Sequence, residues 1–210
     1  MEIWSFVKTF RDSRHFRELM DYLRGPGAIS YGSVIRLVHD ATECALHSHA
    51  INCTHPGSSN QQQVTAFQGC DPNDHWIVRG PHGYPETYRK GKRVKASAVI
   101  RLEHRNTTKN LHSHKGFPSP VSGQQEVTGF GLDGVGDKND NWQVEVEDAG
   151  VWRAETKVRL IHQATKVALH SHRDIGHPEY TRGQQEVTGF ASRDENDWWR
   201  AVIVRDLDAP

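Results

Sequence analysis

The chain has 210 residues, and its 26 Lys and Arg residues balance its 26 Asp and Glu residues, so the formal charge at pH 7 is zero. This balance argues against nucleic acid as a partner, because neutralising phosphates usually needs a basic excess. No apolar run approaches the ~18 residues of a membrane span. The length suits one large domain, or one domain with a short appendage.

Residues 1–24 predict an amphipathic helix or helix pair. Two stretches carry apolar residues at helical spacing. They are Ile3, Phe6, Val7 and Phe10, then Phe16, Leu19, Met20 and Leu23. Gly25-Pro26-Gly27 ends the pattern. We therefore expect residues 1–27 to form an N-terminal helical extension, which either packs against the rest of the chain or docks onto a partner protein.

The N-terminus and the cysteines bear on the compartment. An acid at position 2 and the lack of an uninterrupted apolar core do not match a secretory signal, which favours the cytoplasm. The three Cys residues, Cys44, Cys53 and Cys70, form an odd and clustered set. Free thiols in a reducing compartment are therefore expected, rather than a disulfide framework.

Internal repeats dominate the remainder of the chain. The motifs IRLxH, LHSH, GQQEVTGF and NDxW occur three times in the same order, with the third motif altered to NQQQVTAF in the first copy. The leucines of LHSH are 65 and 58 residues apart, and the tryptophans of NDxW are 66 and 57 residues apart. Two independent markers agree, so the chain contains three copies of one unit, at about 28–87, 88–150 and 151–206.

Each copy predicts four short strands, about twelve in all. The IRLxH run alternates in the first copy, with Ile35, Leu37 and His39 on one face of a half-buried strand. The other runs are short and bounded by turn residues, and the Trp after Asn-Asp begins the fourth strand. A unit of ~60 residues buries little core alone. Closure of the three copies around a threefold axis is favoured over a solenoid, because closure removes most exposed sheet edges.

These motifs resemble the MIR family, which is named for protein mannosyltransferases, inositol trisphosphate receptors and ryanodine receptors. The resemblance covers about residues 28–206, and the pattern is most similar to that of the stromal-cell-derived factor two group. It implies an all-β fold over residues 28–210: a β-trefoil of three MIR-like repeats with pseudo-threefold symmetry. It also implies the endoplasmic reticulum lumen, so both compartments stay open.

The same resemblance implies a non-catalytic recognition module that binds a glycan, a glycosylated protein or an unfolded polypeptide. One alternative is an accessory domain of a protein O-mannosyltransferase-like glycosyltransferase, with catalysis in another part. A second alternative is a sensor of inositol phosphate or another anion. We expect a monomer whose partner is a glycan or a protein, the latter engaged through the N-terminal helix.

Histidine pairs are the first candidates for ligand binding. In a strand, the two His residues of His-Ser-His point to one face, about 6–7 Å apart. The pairs are His47 and His49, His112 and His114, and His170 and His172. Each pair could chelate a metal if a third ligand such as His39 approached. However, threefold recurrence is typical of architecture, so we predict structural hydrogen bonds, no metal and no cofactor.

Amides and tryptophans form the second candidate set. The motif amides are Gln124, Gln125, Gln184 and Gln185. They could grip sugar hydroxyls while the face of Trp142 or Trp199 stacks on a sugar ring. The alternative is structural hydrogen bonding by the amides and core packing by the tryptophans.

One basic run lies between copies one and two. Its residues are Arg89, Lys90, Lys92, Arg93 and Lys95. Clustered cations attract anions, so the run is a candidate phosphate site. The alternative is a solvated strand edge that lysines protect from aggregation.

No catalytic constellation emerges from the sequence. GxSxG, HExxH, a P-loop and a Rossmann glycine set are all missing. We therefore predict no catalytic residues, and a protein that is not an enzyme.

Overall fold

A computed structural model of the chain describes residues 27–148, 150–173 and 179–204. The predicted helices of residues 1–24 lie outside the described residues. Cys44 and Cys53 are buried free thiols, and Cys70 is an exposed one. In the ranges that are described, no helix is long and apolar enough to cross a membrane.

The described residues form twelve strands and three one-turn 3₁₀ helices. The strands of the first copy are β1 (Val34–His39), β2 (Ala45–Asn52), β3 (Gln62–Phe67) and β4 (Trp76–Arg79). Those of the second copy are β5 (Val99–His104), β6 (Asn110–Pro118), β7 (Gln125–Phe130) and β8 (Trp142–Val146). Those of the third copy are β9 (Lys157–His162), β10 (Ala168–Ser171), β11 (Gln185–Phe190) and β12 (Trp199–Ile203). The 3₁₀ helices are Pro72–Asp74, Lys138–Asp140 and Glu195–Asp197. The all-β prediction is confirmed.

The first and fourth strands of the copies pair into a closed ring. β1 pairs with β4, β4 with β5, β5 with β8, β8 with β9, β9 with β12, and β12 with β1, always antiparallel. The last pairing aligns Ile35 with Ile203 and His39 with Trp199. Since each of the six strands has a neighbour on both sides, the ring has no exposed sheet edge.

The second and third strands of the copies form three hairpins: β2–β3, β6–β7 and β10–β11. The third strands also pair with one another, β3 with β7, β7 with β11, and β11 with β3. The hairpins therefore meet around a common centre, where residues of one copy contact those of the other two.

Tryptophans anchor the core inside the ring. Trp76, Trp142 and Trp199 begin β4, β8 and β12, and each is 0% exposed. Their indole N–H groups donate to the backbone carbonyls of Leu46, Leu111 and Leu169, at 2.8, 2.9 and 2.9 Å. Each Trp thus fills the core and ties the fourth strand of a copy to its second, with its one polar atom satisfied.

Candidate functional site

A buried histidine ends the first strand of each copy. His39, His104 and His162 are each 0% exposed. In all three, Nδ1 bonds a Thr hydroxyl three residues later and Nε2 bonds a backbone carbonyl of another copy. Burial lowers the pKa of His104 and of His162 to about 4. Both ring nitrogens make hydrogen bonds within the protein, so these side chains have a structural role and connect one copy to another.

A second buried histidine in each copy bonds an aspartate of the 3₁₀ helix. Nδ1 of His47, His112 and His170 lies 2.8, 2.8 and 2.9 Å from an Oδ1 atom. The aspartates are Asp74, Asp140 and Asp197, all 0% exposed. Their Oδ2 atoms accept the backbone N–H at the start of the same 3₁₀ helix. Each carboxylate therefore caps its 3₁₀ helix and fixes the tautomer of its histidine.

This hydrogen-bond chain continues to the second histidine of the pair. His47 Nε2 lies 3.2 Å from His49 Nδ1, and His112 Nε2 lies 2.9 Å from His114 Nδ1. Because the carboxylate accepts the Nδ1–H of the first ring, the first Nε2 is an acceptor and the second Nδ1 donates to it. The outer ring is then left with a lone pair on Nε2. His170 and His172 have the same ring arrangement, with centroids 5.0 Å apart, but His172 Nε2 is buried and unpaired.

The histidine pairs do not chelate a metal in this arrangement. The His112 and His114 ring centroids are 5.0 Å apart while the nearest nitrogens are 2.9 Å apart. The two nitrogens therefore point at each other, as in an N–H···N bond, whereas chelation requires lone pairs that converge on one ion. The grouping of His112, Asp137 and Asp140 also has its Nδ1 and carboxylate oxygens engaged in hydrogen bonds.

Each histidine pair has a half-exposed surface, which we call a histidine patch. It consists of the outer histidine, a carboxylate near it, and a phenyl ring that packs against the inner histidine. The three patches are His49, Phe67 and Asp71; His114, Phe130 and Asp137; and His172, Phe190 and Asp194. The second patch has an additional ring, Phe117, whose centroid is 4.6 Å from that of His114. Burial, and next the neighbouring histidine of the pair, lower the pKa of His49, His114 and His172.

The motif amides face inward and link the copies. Gln125 donates to the hydroxyls of Ser113 and Thr165, at 2.6 and 2.9 Å. The amide oxygens of Gln124 and Gln184 accept from the hydroxyls of Thr188 and Thr65. Gln185 has a buried amide oxygen without a hydrogen bond. These are structural hydrogen bonds, the role given above as the alternative to binding sugar hydroxyls.

Trp142 and Trp199 pack in the core, which is the structural role given above as the alternative to sugar stacking. Both rings are 0% exposed within the core and offer no face to a ligand. The aromatic rings beside the histidine pairs are phenylalanines instead. Phe67, Phe130 and Phe190 close the QVTAF and EVTGF runs and are half-buried.

The basic run lies at the surface beside the ring. Arg89, Lys90, Lys92, Arg93 and Lys95 are all exposed and make no ion pair with another described residue. Arg89 stacks over Tyr88, 5.5 Å from the ring centroid, and Arg93 and Lys95 form isolated β-bridges with Ser30 and Val151. The structure places the five cations on one exposed segment, and the buried Tyr31 lies near enough to Arg89 for its phenol to interact with that charge.

Two buried carboxylates of the glutamine motif, Glu126 and Glu186, lie at the centre of the hairpins. Glu126 bonds His55 Nε2 at 3.2 Å and the Cys53 thiol, and Glu186 accepts from the Ser119 hydroxyl. They line a cavity of about 40 Å³, enough for ordered water. Burial, and secondarily Glu126, raises the pKa of Cys53 to about 12, so this thiol is not a nucleophile. Both glutamates occupy the fourth position of the GQQEVTGF motif, where the first copy has Gln63.

Substituting Glu186→Gln tests this centre. Burial raises the pKa of Glu186, and its Oε2 is buried without a partner. A raised carboxyl pKa means that ionisation opposes folding, so the cost is absent at low pH and grows as the pH rises through the folded pKa. We expect the difference in unfolding free energy between the variant and the wild type to shift in favour of the variant as the pH rises from about 4.5 to about 8. Urea unfolding at both values measures this, and an equal difference at both would contradict it.

Comparisons with known proteins agree with this architecture. A family model described as the MIR domain matches residues 58–201. A stromal cell-derived factor 2-like protein of Dictyostelium discoideum is 40% identical over 174 residues, covering 82% of this chain and 81% of that protein. The crystal structure of the SDF2-like protein from Arabidopsis thaliana superposes with a TM-score of 0.76 at 40% identity, covering 83% of this chain and 94% of that one.

Two further structures extend the comparison. The S. cerevisiae protein O-mannosyltransferase Pmt1-Pmt2 complex bound to the sugar donor matches with a TM-score of 0.74 at 31% identity, covering 87% of this chain and 26% of that chain. The BEL β-trefoil, at 17% identity and a TM-score of 0.51, covers 85% of this chain and 98% of that one, and supports a β-trefoil-like fold alone. The chain therefore belongs to the MIR domain family, in the group of the stromal cell-derived factor 2 and SDF2-like proteins.

Proposed function

We propose that this chain is a non-catalytic recognition module that binds a glycan or a glycosylated protein through its histidine patches. The observation that carries the proposal is the Asp–His–His chain, which holds the lone pair of His49 and His114 Nε2 available, in the second copy beside the ring of Phe117. Sugars offer hydroxyl donors together with an apolar ring face. A rigid acceptor next to an aromatic ring suits both features.

The proposal includes the repeat architecture. We infer that residues 28–210 form one β-trefoil of three equivalent repeats, with pseudo-threefold symmetry. Support comes from the closed ring of six strands and from hydrogen bonds that recur at matching positions, such as those of His47, His112 and His170. Repeated patches would let one molecule engage several sugar units, which raises the apparent affinity without new contacts.

The second patch is the best formed of the three. The ring of His114 packs against Phe117, and Phe130 packs against the inner ring His112. The third patch differs, because Nε2 of His172 is buried. We therefore expect the second patch to contribute most to glycan binding and the third to contribute least.

Two other functions have specific support. The MIR domain occurs within a protein O-mannosyltransferase complex, which suits an accessory domain with catalysis elsewhere. The exposed run from Arg89 to Lys95 suits an anion such as an inositol phosphate. Anion binding through that run would weaken in high salt and would be lost in a Lys92→Ala, Arg93→Ala variant. Glycan binding at the patches would survive both changes.

A glycan array on the purified chain tests the proposal. We expect His114→Leu to weaken the strongest signals roughly five- to tenfold, since one hydrogen bond contributes about 1 kcal/mol. His49→Leu should have a smaller effect and His172→Leu the smallest. His82→Leu, at an exposed position outside the patches, is the matched control. Because the pKa values of the patch histidines are lowered, binding should persist below their usual titration range and fall only at more acidic pH.

Three outcomes would count against the proposal. The first is an array without signal. The second is a His82→Leu variant as impaired as His114→Leu. The third is binding abolished by EDTA, which would indicate a metal-dependent mode that the geometry of the histidine pairs does not support.

A further inference from the structure

The second copy contains a turn that the other two copies lack. From the phenylalanine that ends the third strand to the tryptophan that begins the fourth, copy two has eleven intervening residues, and copies one and three have eight each. Within this stretch, Leu132 and Val135 exchange both backbone hydrogen bonds, at 3.0 and 2.9 Å. Asp133 and Gly134 between them have φ angles of 50° and 74°, which are typical of a type I′ hairpin turn.

The turn is held rigidly by the underlying sheet. The carbonyl of Gly134 accepts from Arg101 Nη1 at 2.8 Å and from Asn110 Nδ2 at 3.0 Å. Lys109 Nζ donates to the carbonyl of Gly131 at 2.7 Å. A Cβ atom at Gly134 would lie 2.9 Å from Glu103 Oε2. The turn therefore has little conformational freedom to lose when it binds a partner.

Two apolar side chains stand out from this rigid turn. Leu132 is 73% exposed and Val135 is 71% exposed, and the described residues contain just one other exposed large hydrophobic side chain, Tyr84. The Asp-Gly centre and the backbone bonds suffice to form the turn. Folding therefore does not require a large apolar residue at either flanking position.

A groove of about 450 Å³ runs beside the turn, a volume within the range of ~300–1,000 Å³ that is typical of ligand sites. Its apolar wall is Leu132, Val135 and Phe130, and its opposite wall is the first copy's hairpin loop, with Asn52 and Asn60. Both asparagines are exposed, and their amides make no hydrogen bond to another described residue. Apolar side chains opposite free amides match a peptide, which has side chains to bury and a backbone to pair.

We propose that this groove binds an extended peptide segment of another protein, with apolar side chains at alternate positions and a basic residue beside them. Alternate side chains of an extended chain point the same way, so two of them can cover Leu132 and Val135. The basic residue would face Asp133, which is exposed at the tip of the turn and makes no ion pair with a described residue. Of the cations nearby, Lys109 also lines the groove, where its Nζ donates to the Gly131 carbonyl, and the exposed Lys138 lies five residues from Asp133 in sequence.

A second copy of the chain suits the groove less well. A stable dimer buries about 800 Å² on each partner, far more than two side chains supply. A twofold interface centred on this turn would also bring Asp133 towards its own equivalent, and like charges oppose such an interface. The site adjoins the second histidine patch at Phe130 but does not depend on it, so this proposal and the glycan proposal can fail separately.

An array of octapeptides tests the groove. The probes carry Leu, Val, Ile or Phe at two alternate positions with one Lys, and a matched set has Asn at both apolar positions. We expect the wild-type chain to bind members of the first set and not of the second. The Leu132→Ser, Val135→Thr double variant should lose at least tenfold in fluorescence anisotropy titrations of the best probe. Tyr84→Ser, which removes the other exposed large hydrophobic side chain of the described residues, should bind that probe normally.

Several results would overturn the inference. An array without signal, binding that the double variant retains, or equal loss in the Tyr84→Ser control would each do so. A wild-type chain that sediments as a dimer, paired with a double variant that sediments as a monomer, would assign the turn to self-association instead. Because both substituted side chains are exposed, circular dichroism and thermal unfolding should show an intact fold in the double variant.

Discussion

Lowering the pH from 6.5 to 4 should remove roughly 3 kcal/mol of folding stability for each of His104 and His162, because one pKa unit is worth about 1.4 kcal/mol. Burial holds both folded pKa values at about 4, below the ordinary value of 6.5. The unfolded chain therefore takes up protons in this window while the folded chain does not. The contribution of these two histidines to the free energy of unfolding is therefore fully present above pH 6.5 and is lost as the pH falls towards 4.

Urea unfolding at about pH 7.5, 6 and 4.5 measures this loss of stability. The slope of the unfolding free energy against pH gives the number of protons taken up on unfolding. The environment of His104 includes His47 and His49, which oppose its protonation, and Asp74, which favours it. Asp140 and Glu186, whose pKa values burial raises, act in the opposite direction and offset part of the loss at the acidic end. The net change should still be a marked acid destabilisation.

His104→Asn and His82→Gln separate the buried ring from histidine titration in general. The asparagine does not titrate, so that variant should be less stable at neutral pH yet lose less on acidification. His82 is exposed, and its substitution should leave the pH profile unchanged. An unfolding free energy that stays constant between neutral and acidic pH in the wild-type chain would show that neither buried ring resists protonation as the structure indicates.

Local sequence patterns predicted the strands well, since strand formation depends on neighbours along the chain. The structure has strands at the alternating run around Ile35 and Leu37. It also starts β4, β8 and β12 at the Trp of each Asn-Asp-Xaa-Trp motif. The Asp-Gly at Asp133 and Gly134 is an equally local hairpin signal, flanked by Leu132 and Val135. Because this turn belongs to one copy, the pattern shared by the three copies gives no sign of it.

The candidate site was harder to predict, because its decisive contacts join distant positions. The pairing of His112 with Asp140 spans 28 residues, and that of Glu126 with His55 spans 71 residues. The sequence placed each histidine pair on one face of a strand, but it did not reveal the carboxylate that orients the inner ring. Repetition of His-Ser-His and of Asn-Asp at matching spacings was the one available signal of their contact.

Removing the buried aspartate of a 3₁₀ helix should be among the most destabilising single changes. Asp140→Ala would leave His112 Nδ1 and the backbone N–H of Asp137 without acceptors, at sites where they now bond at 2.8 and 2.7 Å. An unsatisfied buried donor costs about 1–3 kcal/mol, so we expect a loss of roughly 3 kcal/mol. The outer ring His114 would also lose the tautomer that the chain imposes on it.

The same substitution in each copy tests whether the three repeats are equivalent. Asp74→Ala and Asp197→Ala remove the same pair of hydrogen bonds, and in addition leave Arg36, at 3.4 Å, and Arg159, at 3.8 Å, without that carboxylate. All three variants should therefore lose roughly 3 kcal/mol or slightly more in urea unfolding. The matched control is Asp137→Ala, since that side chain is 44% exposed and serves as an N-cap worth about 1 kcal/mol. If one aspartate were essential and the other two dispensable, the copies would share a sequence pattern without sharing its structural role, and the equivalent-repeat inference would fail.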